Sequence, residues 1–376
     1  MKPKILIALN TAWNLHNFRA GLIRGLIEEG FDVVAVAPSD NYGSGLNDLG
    51  CRYIPLPMDN HGMHPGRDFR LFIGYVRILR KERPAVFLGY TIKPNIYGSL
   101  AAHLLGIPVI NNISGLGRAF SESGWLSFLA GRLYRLSLSF SSKVFFQNEE
   151  DRGEFIARRL VNPDKTDRLP GSGIDLKKFQ FEAQSPSPSG NFRFLLHARM
   201  LWEKGVGVYV DAARILKRNF PDVECSLLGF LDGNEAGAIS TDQIALWVDE
   251  GVVRYLGHSD DVRSELRNAD CVVLPSYYKE GVPKSLLEAA AMGCPIITTD
   301  TTGCREVVDD GLNGFLCRPQ DSQHLAGRMM AMLALSPDDR RAMGTAGRQK
   351  VEMVFDEDIV IKKYIESIRS MVKNIY

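Results

Sequence analysis

Residues 276–288 read Ser276-Tyr-Tyr-Lys-Glu280-Gly-Val-Pro-Lys-Ser-Leu-Leu-Glu288, and their reading decides the fold. Upstream, the apolar run 270–275 ends on Pro275 and predicts a buried parallel strand. Downstream, Pro283 suits a first-turn position, Leu286, Leu287 and Ala290 supply an apolar face, and Gly293 ends the pattern. A helix over 284–292 follows. A strand, a glycine-containing loop and a helix start, with Pro283 at the turn, aim unpaired backbone N–H groups at Gly281, Val282 and Ser285 toward one spot that suits a phosphate. Glu280 precedes the helix and Glu288 lies about two turns inside it, placed to accept hydrogen bonds from sugar hydroxyls. These parts together describe a site for a nucleotide bearing a sugar.

A chain of 376 residues with 45% hydrophobic and 24% charged residues is long enough for two cored domains. Its net charge of +1 gives no argument for nucleic acid as a partner. The charge is uneven, however. Residues 60–145 hold 11 Lys and Arg against 3 Asp and Glu, a surplus that suits an anionic surface or substrate. The six cysteines, Cys51, Cys225, Cys271, Cys294, Cys304 and Cys317, form no C-x-x-C pair and read as buried thiols of a reducing cytoplasm. No apolar run approaches a membrane span, and 5–9 is too short for a signal-peptide core, so any membrane contact is expected to be peripheral.

From the N-terminus the chain alternates strand and helix: a strand over 4–9, a loop over 10–17, a helix over 18–29, a strand over 32–37. The alternation continues to 143–147, is interrupted at 181–191 by a Ser-Pro-rich linker, and restarts at 192. An α/β fold of two doubly wound, Rossmann-like domains is predicted, 1–180 and 192–356, followed by a helix from 357. A dinucleotide-dependent dehydrogenase shares this alternation, but neither first strand is followed by G-x-G-x-x-G.

In the second domain Arg199 and Lys204 sit on the loop leaving the first strand, five positions apart, on the edge that carries Glu280. Two cations there neutralise a diphosphate, Arg as a fork and Lys as a point charge. In the first domain, Asn14 to Arg19, including His16, Asn17 and Arg19, opens the predicted helix and offers its amides to phosphate; His16 reads equally well as a helix-start donor. Lys93 and Asn95 suit an acceptor phosphate or a plain loop entering a helix. Ser114 and Gly115 end another strand on the same edge. Metal ligands are poorly represented: Asp356 and Asp358 form the one D-x-D, at a helix start where acids are favoured anyway, and Asp59, His61 and His64 share a loop.

Glu280-Gly-Val-Pro-Lys-Ser-Leu-Leu-Glu288 resembles the Glu-x7-Glu signature of the retaining family-four glycosyltransferases of the GT-B fold. Arg199-Met-Leu-Trp-Glu-Lys204 is similar to that family's Arg-x4-Lys phosphate clamp, and Gly171-Ser-Gly-Ile-Asp175 to its glycine-rich domain junction. The resemblance spans essentially the whole chain. It implies two domains facing a cleft, a last helix (357–376) crossing back to the first domain, and a UDP-sugar donor. Glu288 then holds the ribose and Glu280 the donor sugar, while backbone groups of Gly257 and His258 hold the base. It also implies a front-face reaction in which the leaving phosphate takes the acceptor proton, with Arg199, Lys204 and the helix start stabilising its charge. No cofactor is implied, and a metal is redundant beside those cations. Relatives often place a His or an acid near the end of the fifth strand, where this chain has Asn111, Asn112 and Ser114.

Thr91-Ile-Lys-Pro-Asn-Ile-Tyr97, Ile113-Ser-Gly-Leu-Gly117 and 198–205 look closest to bacterial N-acetylhexosaminyltransferases acting on undecaprenyl-pyrophosphate-linked sugars. N-acetylgalactosamine is the favoured sugar and N-acetylglucosamine the next. A nucleotide-sugar epimerase or a non-catalytic nucleotide-binding scaffold would share the fold. A lipid-linked acceptor implies peripheral attachment to the cytoplasmic face of an anionic inner membrane. The apolar stripe Trp125, Phe128, Leu129, Leu133, Leu136, Phe140, flanked by Arg132, Arg135 and Lys143, and the basic run 67–83 are the expected contact.

Overall fold

The computed structural model describes residues 2–59, 64–115, 125–181, 190–231, 237–278 and 280–372, with backbone alone for 125–130. Two compact units result: Met1–Ser172 with Glu357–Tyr376, and Gly173–Asp356. The division falls ahead of the boundary at 180 expected from composition. Residues 173–179 pack with the second unit because Ile174 and Phe179 enter its core, and Ile174 bridges to Asp356. Most of the expected 181–191 linker (182–189) lies outside the described residues.

The first unit is a parallel sheet of β1 (Lys4–Ala8), β2 (Asp32–Ala37), β3 (Arg52–Pro55), β4 (Val86–Tyr90), β5 (Val109–Ile113), β6 (Lys143–Phe146) and β7 (Thr166–Arg168). Their order is β3-β2-β1-β4-β5-β6-β7. Ile5 faces Val33 on one side and Val86 on the other, so the central strand is apolar throughout, as a sheet covered on both faces requires. Strand order reverses at β1, and the carboxyl ends of β1 and β4 therefore flank a topological switch point.

The helix Glu357–Val372 belongs to this unit. Val360, Tyr364 and Ile368 are buried in one cluster with Leu15, Leu22 and Leu26 of the helix Ala12–Glu28. Gly25 lets the two helices close, since a Cβ there would sit 2.7 Å from Ile361. The Tyr364 hydroxyl accepts a hydrogen bond from the Asn112 side chain at 3.0 Å.

The second unit repeats the plan with β8 (Arg193–His197), β9 (Glu224–Leu228), β10 (Arg254–Tyr255), β11 (Cys271–Leu274), β12 (Ile296–Thr299) and β13 (Gly314–Cys317), in the order β10-β9-β8-β11-β12-β13. Here the reversal lies at β8, between β9 and β11. None of the six cysteines forms a disulfide, and all are buried. Among the described residues no helix is long and apolar enough to cross a membrane.

One element departs from the periodicity in a way that matters. The first helix begins at Ala12, not at 18, because Thr11 caps it: its hydroxyl accepts the Asn14 N–H at 3.0 Å. The Asp40 carboxylate accepts the Trp13 N–H at 2.9 Å. Two side chains thus satisfy the N–H groups of Trp13 and Asn14, and of the amides expected to be open for a phosphate, Asn14's is taken.

Candidate functional site

In the second unit the loops leaving β8 and β11 rise side by side from the switch point, because those strands are paired through Cys271–Phe194 and Val272–Leu195. The β8 loop closes in a short turn, Trp202–Lys204, and Gly205 (φ 77°) starts the helix Val206–Asn219. Glycine is required at 205 twice over, by the left-handed backbone and by the Pro275 carbonyl lying where a Cβ would be. That close approach brings the two loops together: the Tyr277 N–H donates to the Glu203 carbonyl at 3.1 Å.

The result is an ion pair. Lys204 Nζ lies 2.5 Å from Glu280 Oε2, with side chains only 12% and 17% exposed. The Ser276 hydroxyl donates to Glu280 Oε1 at 3.0 Å, while the Ser276 carbonyl accepts from the hydroxyls of Thr299 and Thr301. Glu280 is therefore fixed from both oxygens, and Lys204 is held beside it. The following helix, Lys284–Ala291, has Pro283 at its N-cap and no side-chain cap; the Pro283 carbonyl accepts the N–H groups of Leu286 and Leu287 at 3.2 and 3.3 Å. Gly281, Val282 and Pro283 are buried, and Ser285 is half-buried. Gly303 (φ 85°) packs against the carbonyls of Glu280 and Gly281, which fixes the loop from behind.

Glu288 projects from the second turn of the same helix and is mostly buried. Among the described residues no hydrogen bond reaches its carboxylate; the nearest basic atom is His197 Nδ1, at 3.7 Å. Burial pushes the Glu288 carboxyl up to about 7, against the opposing pull of Lys284 and Lys178. His197 ends β8, and burial presses its imidazole down to about 4. The sequence contains His197 beside Arg199, yet nothing in the pattern assigns it a role; its pairing across strands makes it a neighbour of Glu288. Ser276 was equally silent.

Arg199 is exposed on the same loop. Gly257 (φ 78°) ends the β10 segment, and its carbonyl accepts the Gly229 N–H at 2.9 Å, so that group is already engaged within the sheet edge. The His258 ring stands edge-on to Phe230 with centroids 5.6 Å apart, and Phe230 is 53% exposed. This exposed aromatic pair at the carboxyl edge offers a planar base a stacking surface, which no sequence signal marked.

The first unit corrects several expectations. His16, Asn17 and Arg19 lie inside the helix Ala12–Glu28 rather than at its start. His16 packs its ring on Tyr42, centroids 5.8 Å apart, and the Asn17 side chain donates to the Trp13 carbonyl at 3.0 Å. Arg19 is buried with its guanidinium 4.3 Å from the Tyr90 ring centroid, a core contact rather than an edge cation. Lys93 is held by Asp68 at 2.7 Å, with both side chains nearly buried. Asn95 is 1% exposed, giving a hydrogen bond to the Asn112 carbonyl and accepting one from Asn111 at 2.9 Å each. Asn111 also donates to Ser99 and accepts from Ser141, so this asparagine set ties strands and helices together. Ser114 is exposed and Gly115 half-buried at the end of β5.

A signal the sequence did not give is Thr91, a β-branched residue at φ 59° at the carboxyl end of β4, next to the switch point. A π-turn, Pro94–Gly98, follows it. Among the described residues no three His, Cys, Asp or Glu side chains gather. His61 lies outside the described residues; His64 and Arg67 both approach Asp59, at 3.7 and 2.7 Å.

Two family models match the chain. Residues 16–171 match the glycosyl transferase 4-like domain and residues 177–350 the glycosyl transferases group 1. A Campylobacter jejuni N,N'-diacetylbacillosaminyl-diphospho-undecaprenol alpha-1,3-N-acetylgalactosaminyltransferase is 28% identical over 96% of this chain and 97% of its own. An Escherichia coli UDP-Gal:alpha-D-GlcNAc-diphosphoundecaprenol alpha-1,3-galactosyltransferase is 24% identical over 68% of each. Among solved structures, Anabaena Alr3699/HepE in complex with UDP superposes with a TM-score of 0.78 at 19% identity, covering 98% of this chain and 100% of that one.

Proposed function

This chain belongs to the glycosyltransferases that join a 4-like domain to a group 1 domain in the GT-B architecture, and on that premise we propose its donor, acceptor and mechanism. It moves an N-acetylhexosamine, N-acetylgalactosamine first and N-acetylglucosamine next, from a UDP-sugar to an undecaprenyl-pyrophosphate-linked sugar, with retention. The observation that carries this reading is the Lys204–Glu280 pair, locked beside the uncapped start of the helix Lys284–Ala291 at a sheet switch point. A preorganised cation and the positive end of the helix stabilise charge developing on a leaving diphosphate. Arg199 adds a second cation, Glu280 orients the donor sugar, Glu288 takes the ribose hydroxyls, and Phe230 with His258 flanks the base. The departing phosphate accepts the acceptor proton. The acceptor class and the sugar follow what the Campylobacter relative's name says of that protein, over nearly the whole length of both chains.

The test is transfer from a panel of UDP-sugars, with and without undecaprenyl-pyrophosphate-linked acceptor, with EDTA present throughout. Lipid-dependent transfer of an N-acetylhexosamine is expected, and it should survive the chelator because Lys204, Arg199 and the helix start supply the positive charge. Inversion of the donor without acceptor would replace this reading by an epimerase. Loss of transfer with EDTA that Mn²⁺ restores would reopen Asp356 and Asp358 as ligands.

A lipid-linked acceptor brings the first unit to a bilayer; its most basic surface lies at the amino ends of its strands, the edge opposite Ser114 and Gly115. Arg80, Lys81 and Arg83 precede β4; they are exposed, with no ion pair among the described residues. A cavity of about 280 Å³ opens beside them, lined by Leu79, Arg80, Arg83, Pro84, Leu105 and Ile107. Leu104 (67% exposed), Leu136 and Phe140 are further exposed apolar side chains of this unit. The stripe expected on 125–143 therefore splits: Leu136 and Phe140 face outward, Leu133 packs partly on the core that Tyr134 and Leu138 enter, and the side chains of 125, 128 and 129 lie outside the described residues. Each cation near an anionic leaflet contributes up to ~1 kcal/mol. Co-sedimentation with anionic but not neutral vesicles is expected at low salt, weakening as salt rises. Neutralising Arg77, Arg80, Lys81 and Arg83 together should abolish most of it; a protein that stays in the supernatant with anionic vesicles has no such surface.

A further inference from the structure

Glu288 and His197 pose a problem that the assigned roles leave open. An acid that is to hold ribose hydroxyls must present lone pairs, which the ionised form does best, yet it sits buried with no hydrogen-bond donor among the described residues. Directly across from it, on the last residue of β8, lies a ring nitrogen in the complementary condition. His197 Nδ1 is buried and has no hydrogen-bond partner, a state that costs free energy unless something is gained by it. The two atoms are 3.7 Å apart, just beyond hydrogen-bond reach, on two rigid elements: a strand end and the second turn of a helix.

The charges around the pair come from every side. Lys284 on the same helix and Lys178 favour a charged Glu288, and Asp261 opposes it. Glu265 favours a charged His197 and His258 opposes it. Burial outweighs them at both positions, so in the free protein the imidazole is neutral near pH 7 while the carboxyl keeps its proton below about 7.

We propose that His197 is a positioning residue for donor binding: when ribose hydroxyls reach Glu288, the carboxyl proton passes to His197 Nδ1. The Glu288 O–H bond breaks, the His197 Nδ1–H bond forms, and the pair keeps one proton throughout, so no other reactant is required. The nucleotide then meets a carboxylate backed by an imidazolium, and its binding costs no proton to solvent. This assignment rests on the reading of Glu288 as the ribose ligand.

Calorimetry tests it. UDP-N-acetylgalactosamine, whose phosphates do not titrate near neutrality, is bound to wild type and to His197→Gln at pH 6.0–7.0. Buffers of different ionisation enthalpy then reveal proton exchange. Wild type is expected to exchange almost no proton. His197→Gln, with nowhere to pass it, should release more than about half a proton per nucleotide, and its affinity should fall as pH drops, approaching tenfold per pH unit. A loss of packing alone would weaken binding equally at every pH. Equal proton exchange in the two proteins overturns the assignment while leaving the donor reading intact; failure of wild type to bind any UDP-sugar overturns both. Should the variant not fold, imidazole nitrogen resonances of wild type decide: His197 is expected neutral when free and doubly protonated when bound, and a ring that stays neutral on binding overturns the proposal.

Discussion

Lys204→Ala is expected to lower turnover by ~10²–10³-fold, the loss typical of removing one preorganised donor from a developing anion. Two consequences of the geometry add up. The ammonium that would meet the leaving diphosphate disappears, and Glu280 is left with Ser276 as its remaining partner, a largely buried carboxylate beside the place where the phosphates belong. Uncompensated charge of that kind also destabilises the fold, so thermal melting must be measured alongside kinetics. Adding Glu280→Ala to Lys204→Ala should recover part of the melting temperature and none of the turnover. Lys204→Arg should fail nearly as badly, because a planar fork cannot occupy a slot built for a point charge at 2.5 Å from Glu280. Turnover above about a tenth of wild type in Lys204→Ala would remove the clamp from the mechanism.

Glu288→Ala should weaken UDP and UDP-sugar binding alike, by ~1.5–3 kcal/mol, since ribose is common to both and the acceptor of its hydroxyls is lost. Glu280→Ala should instead lower turnover with UDP affinity nearly kept. Equal loss of UDP affinity in both variants would refute this division. The same residue predicts an opposite effect on stability. Its carboxyl is raised to about 7 in the folded protein against an ordinary 4.5, so the native state binds the proton more tightly than the unfolded chain. The stability this gives is complete below the ordinary carboxylate range and is lost as pH rises through about 7. Glu288→Gln, which keeps the shape without the charge, should therefore melt like wild type below about pH 4 and higher than wild type at about pH 8. The gain is of order 1–3 kcal/mol. A melting temperature unchanged at pH 8 would show that Glu288 is ionised at no cost.

The sequence by itself determined the two doubly wound halves, and for a physical reason. Buried parallel strands such as β1 and β11 must be apolar on both faces, and the runs 4–9 and 270–275 are legible without any neighbour. The helix over 284–291 was equally legible, because Pro283 and Gly293 punctuate it locally. Residues whose role depends on their own loop and spacing, Arg199, Lys204, Glu280 and Glu288, were marked by pattern.

What only the tertiary structure decided is who meets whom. Thr166–Arg168 and Gly314–Cys317 are strands because a neighbour's edge pairs with them, and nothing in Thr-Asp-Arg announces it. Arg19, Lys93 and Asn95 looked like cations and amides awaiting a phosphate. Tyr90, Asp68 and the buried asparagines took them instead, from positions far away in the chain. The start of the first helix was settled by Thr11 and by Asp40 from the next loop. His197 acquired its carboxylate because β8 lies beside β11, whose outgoing loop leads into the helix of Glu288. Hydrogen bonds and ion pairs act over about 3 Å, and a sequence orders residues along one dimension; which polar groups come within that distance is fixed only when the sheets are assembled.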